Sequence, residues 1–132
     1  MMTSPYEKYR QSSVQTSTPA QLLIMSYDGV IRFVRLAMEA LSKRDFEKTN
    51  LNFGKAQTIM SELTCALNFN YEISKNLFSL YEYINHLLVE ANIHKTPDKA
   101  EEALGYLTEL RETWLQASKI AVGQGQADSA HG

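Results

Sequence analysis

The stretch TPAQLLIMSYDGVIRFVRLAMEALS, residues 18–42, decides the fold. Leu23, Tyr27, Val30, Val34, Ala37 and Leu41 recur at alternating spacings of four and three, the seam of a helix that buries one face. Leu22, Met25, Gly29, Phe33, Leu36 and Ala40 make a second, largely apolar stripe beside it. Only Asp28, Arg32, Arg35, Glu39 and Ser42 mark a clearly polar face. Thr18 before Pro19, with Gln21 three residues on, reads as an N-cap, a proline at the first helical position and a capping box.

The same punctuation recurs outward along the chain. Ser4-Pro5 with Glu7, and Thr96-Pro97, repeat the hydroxyl–proline start; Asp45 follows the polar break Ser42-Lys43-Arg44, and a further start lies near Asn70. These signals predict a short N-terminal helix and four long ones at roughly 18–42, 45–67, 71–94 and 97–121. Phe53, Ala56, Met60, Leu63 and Leu67 give the second seam; Ile73, Leu77, Leu80, Ile84, Leu87 and Ala91 the third; Leu107, Leu110 or Arg111, Trp114 and Ala117 the fourth. Short linkers favour antiparallel neighbours. The expected fold class is all-α, an antiparallel up-down-up-down four-helix bundle at 18–122, with an N-terminal arm at 1–17 and a disordered tail at 123–132. The tail reading rests on small, polar, glycine-rich composition without periodicity.

A chain of 132 residues fits one domain. Net charge is -2 and the Lys and Arg residues do not cluster, which argues against a nucleic-acid partner. No apolar run is long enough for a bilayer span, the start lacks the pattern of a secretory signal, and the lone Cys65 suits a reducing compartment. A cytoplasmic address without stable membrane insertion is expected. Phosphate loops, nucleophile elbows, paired-cysteine metal signatures and dinucleotide fingerprints do not occur, so neither an enzyme nor a cofactor is expected.

Glu82, His86, Glu90 and His94 recur every four residues on the third helix. Di-iron bundles need a Glu-x-x-His pair on each of two helices, and this chain has none, so a solvated polar edge is the plainer reading. A metal-binding, di-iron-like bundle on that edge remains the rival, and a homodimeric scaffold is a third reading. The second stripe on the first long helix points instead to a groove for an incoming amphipathic segment. The arm, with Tyr6, Tyr9 and Val14, reads as a frayed or docked terminus or as a lid over that groove.

Several linked segments resemble the FliS family of flagellar export chaperones. They are Tyr6 through Val14, Thr16 through Pro19, Leu22 through Ile31, Lys55-Ala56-Gln57, Asn76-Leu77 with Leu80 through Tyr83, Glu90-Ala91-Asn92, and Glu109 through Trp114. Ser26, Glu82 and His86-Leu87 depart from the family's usual leucine, aspartate and basic pair. The resemblance implies a cytosolic four-helix bundle that binds the disordered C-terminal segment of flagellin. It further implies that binding prevents premature polymerisation, and that the loaded complex docks at the export gate of the flagellar type III apparatus. By helical phase, Leu22, Met25, Gly29, Phe33 and Leu36 would face the guest from the first long helix, and Tyr81 and Tyr83 from the third. Tyr6, Tyr9 and Val14 would form the arm and its junction. A homodimer of the empty protein is also weighed.

Overall fold

The computed structural model describes residues 18–131, with side chains described through residue 120. Four helices follow one another: α1 (Pro19–Ser42), α2 (Phe46–Cys65), α3 (Ile73–His94) and α4 (Asp98–His131). α1 packs on α2 and α4, and α3 packs on the same two, so sequence neighbours are also spatial neighbours in an up-down-up-down bundle.

The start of α1 is fixed by a reciprocal cap. The Gln21 amide donates to Thr18 Oγ1 at 3.2 Å, and the Thr18 amide donates to Gln21 Oε1 at 2.9 Å. Two of the helix's otherwise unpaired donors are thereby satisfied. Thr18→Ala is expected to cost about 1 kcal/mol, read as a lower thermal midpoint. An unchanged midpoint would show that the cap is dispensable.

The turn from α1 to α2 has no slack. Arg44 takes a left-handed conformation with φ 60°. The Arg44 amide returns to the Leu41 carbonyl and the Asp45 amide to the Ala40 carbonyl, the Schellman pattern that usually employs glycine. Asp45 then turns to the next element, its carboxylate accepting from the Lys48 amide at 3.2 Å. At the same end of the bundle Lys95, also left-handed with φ 53°, closes α3. Its ammonium donates to the Asn92 carbonyl and side chain and reaches across to Asn50 Oδ1 on α2.

The connection at the opposite end is looser and differs from expectation. α2 stops at Cys65 and α3 starts at Ile73, because Asn68 organises a turn rather than capping a helix. Its carbonyl accepts the Ser74 hydroxyl at 2.6 Å and the Tyr71 amide at 3.1 Å, while its side chain accepts the Asn70 amide at 3.0 Å.

The core follows the expected seams closely. Tyr27, Val30, Val34 and Ala37 meet Phe53, Ala56 and Met60, with Ile84, Leu87 and Ala91 closing the other side. α4 contributes Ala100 and Ala103 as well as Leu107, two small residues that the fourth seam missed. Ala117 is exposed and Ile73 lies at the surface. α4 is 34 residues long against 20–24 for the others, and its backbone is helical beyond residue 122, where a tail was expected. Glycine ends a helix by turning left-handed, and no described glycine has a positive φ; Gly123 and Gly125 are simply carried along.

Candidate functional site

The residues expected to meet a guest divide into three groups. On α1, Leu22 and Met25 are half-buried and Leu36 is 38% exposed, so that stripe does present apolar surface. Leu22 and Leu36 are about 21 Å apart along the helix, at 1.5 Å per residue. Gly29 and Phe33 interrupt it, both buried; the Phe33 ring lies under the Lys55 ammonium at 5.3 Å. Tyr83 is exposed on the α3–α4 face, donating to Glu102 at 2.7 Å and edge-on to Tyr106. That hydrogen bond to a carboxylate raises the Tyr83 pKa. Tyr6, Tyr9 and Val14 lie outside the described residues.

Tyr81, expected to face the guest, is packed in the core and is otherwise only one of the residues that line a cavity. It is 1% exposed and belongs to the core, because the helical phase that buries Ile84 and Leu88 also buries the position one and two turns before them. Its hydroxyl meets that of Tyr27 at 2.6 Å, a bond that crosses the bundle from α3 to α1. Burial raises the pKa of both phenols. For Tyr27 the bond to Tyr81 pushes further in that direction and the Trp114 indole pulls against it; for Tyr81 the Tyr27 hydroxyl opposes the rise.

The sequence reading missed a concavity among the described residues. A cavity of about 380 Å³ opens at the end of the bundle where α1 begins, α2 ends and α3 begins. Leu23, Leu63, Leu67 and Leu77 form apolar walls, joined by Tyr81 and Trp114. Tyr71 and Ile73 line it and are 65% and 54% exposed, and among the described residues no Lys, Arg, Asp or Glu contributes to the lining. Phe69 and Phe78, both exposed, pair edge-on at 5.9 Å beside the same connection. A signal was present: Asn68-Phe69-Asn70-Tyr71-Glu72-Ile73 places two large aromatic residues in a linker, where polar ones are usual, and an isoleucine directly after them.

The acidic and imidazole ladder on α3 gathers no metal site. Glu90 and His94 pair at 2.9 Å, but among the described residues no three of His, Cys, Asp and Glu come together as metal ligands. No described helix is long and apolar enough to cross a membrane.

Residues 2–121 match the family model described as flagellar protein FliS. The chain belongs to the FliS family. It is 42% identical over 114 residues to the flagellar secretion chaperone FliS of Bacillus subtilis (strain 168), covering 86% of each chain. Against the flagellar secretion chaperone FliS of Salmonella typhimurium the identity is 31% over 114 residues, 84% of each. A bacterial flagellar chaperone of known crystal structure superimposes with a TM-score of 0.74 at 21% identity, covering 87% of this chain and 95% of that one. That likeness shows that the two chains share one fold. Membership places the chain in flagellum biogenesis and protein export, and the FliS sequence pattern accounts for nearly the whole of the described bundle.

Proposed function

We propose that this chain is a cytosolic, non-enzymatic export chaperone that holds the disordered C-terminal segment of flagellin, prevents its premature polymerisation and keeps it competent for the flagellar type III apparatus. The observation that carries the reading is the uncharged apolar cavity at the α2–α3 end, on a chain of the FliS family. Half-buried Leu22 and Met25, exposed Leu36 and exposed Tyr83 supply further contact points along the bundle. A wrapped, extended guest can use several such points at once. Burying one Leu or Ile side chain contributes about 1.5–3 kcal/mol. Ordering a disordered segment costs about 2–5 kcal/mol, so more than one anchor is needed. The chain carries no energy-consuming part, and release belongs to the export gate at the membrane.

Titration of a flagellin C-terminal peptide into the full chain is expected to give a near one-to-one complex, a negative heat-capacity change and a gain of helical circular dichroism. No heat, no helix gain and no complex in sedimentation would overturn the function.

A further inference from the structure

Tyr83, on the outer face that α3 shares with α4, is exposed and yet held at both ends. It is 43% exposed, while its hydroxyl donates to Glu102 Oε2 at 2.7 Å and its ring meets that of Tyr106 edge-on, centroids 5.9 Å apart. Tyr106 is half-buried and packed against the core, so α4 supplies a fixed backing. A side chain already ordered in the free chain loses little conformational freedom when a partner covers it. Tyrosine is also enriched among the residues that anchor protein contacts. Neither tyrosine nor Glu102 lines the cavity.

Charge decides what would cover this face. Glu102 is an acceptor only, and its Oε1 has no hydrogen-bond partner among the described residues. The Tyr83 oxygen, having given its hydrogen, can still accept. Aromatic ring faces carry negative potential and attract cations. Asp98 and Glu109, exposed on the same side of α4 one turn before and two turns after Glu102, extend that sign. Among the described residues none of these three carboxylates is in an ion pair, and neither is Lys99, the adjacent cation. His94 on α3 is engaged by Glu90. Gly105, one turn on from Glu102, is exposed, and a Cβ there would meet nothing within 4 Å, which leaves the flank open to a partner's main chain.

We propose that the α3–α4 face docks a basic segment of a protein partner through an arginine, whose guanidinium lies on the tyrosine pair and bridges Glu102 Oε1 and the Tyr83 hydroxyl oxygen. Arginine fits better than lysine, because its planar fork engages two acceptors at once and stacks on a ring. This surface is chemically the reverse of the uncharged cavity and goes beyond the flagellin reading, so the two stand or fall separately.

A fluorescein-labelled, alanine-based helical peptide with arginines along one face is the probe. Titrated with the full chain at low ionic strength, it should gain anisotropy saturably, and its lysine counterpart should bind more weakly. Glu102→Gln should weaken the arginine peptide about two- to fivefold, the range of a well-made surface ion pair. Glu47→Gln, at an exposed acid in the first turn of α2, removes the same charge and should leave the affinity unchanged. Gly105→Leu places a side chain across the approach and should weaken binding without lowering the thermal midpoint, leucine being the better helix former. Saturable binding with that pattern supports the surface, even where the flagellin peptide fails to bind. No saturable signal, equal affinity for the lysine peptide, equal losses in Glu102→Gln and Glu47→Gln, or full affinity in Gly105→Leu overturns it, even where the flagellin peptide binds.

Discussion

Replacing Phe53 with alanine is expected to remove about 3–5 kcal/mol of folding stability. The ring is fully buried at the middle of α2, among the side chains of the shared core. Its removal forfeits both the transfer free energy of the ring and the contacts of the walls around the space left behind. A domain of this size is stable by about 5–15 kcal/mol in total, so the loss is a large share. It corresponds to a fall of roughly 10–20 °C in the thermal midpoint. Leu51→Ala, two residues away at a 56% exposed position, is the control and should stay within about 0.5 kcal/mol of the parent. Equal midpoints for the two variants would contradict the placement of the core on this face of α2.

The second large effect is alkaline. Burial raises the pKa of Tyr27 and Tyr81 above the ordinary phenol value of 10.0. Below that value both phenols are protonated in the folded and unfolded chain alike, and the pair contributes in full. Above it the unfolded chain releases its phenol protons while the folded chain retains them, so unfolding becomes easier as pH rises. For Tyr27 the slope approaches about 1.4 kcal/mol per pH unit and persists until the raised folded value is passed; Tyr81 adds to it with the same sign. One unit above the ordinary value, Tyr27 alone removes about 1.4 kcal/mol, and Tyr81 acts in the same direction. Denaturant melts between pH 9 and about 11.5 should therefore fall more steeply for the parent than for the double variant Tyr27→Phe, Tyr81→Phe. Parallel slopes would mean that the pair is not held protonated by the fold.

Local order in the sequence carried most of the architecture. The seam from Tyr27 to Ala37 needs only helical geometry and a buried face, and the Thr18 cap needs only three consecutive neighbours; both stand as expected. Ala100 and Ala103 escaped notice because alanine is a weak apolar signal, and only close approach of α4 reveals that they are core. The site was less legible. Helical phase turned Tyr81 toward the guest, whereas the bundle buries it, and no phase argument can name the hydroxyl that it meets, which lies 54 residues earlier in the chain. The cavity draws its walls from four helices and one connection, and no single segment carries its outline. Phe33 illustrates the limit of phase arguments, since a residue on the margin between two stripes can be covered by a neighbouring helix's lysine.

The two ends of the bundle differ in compliance. At one, left-handed Arg44 and Lys95 cinch two three-residue turns, and an ammonium ties α3 to α2. At the other, a longer connection borders the hollow. Small angular spreading of the helices can pivot about the cinched end, widening the mouth to admit a bulky side chain while every backbone ladder stays intact.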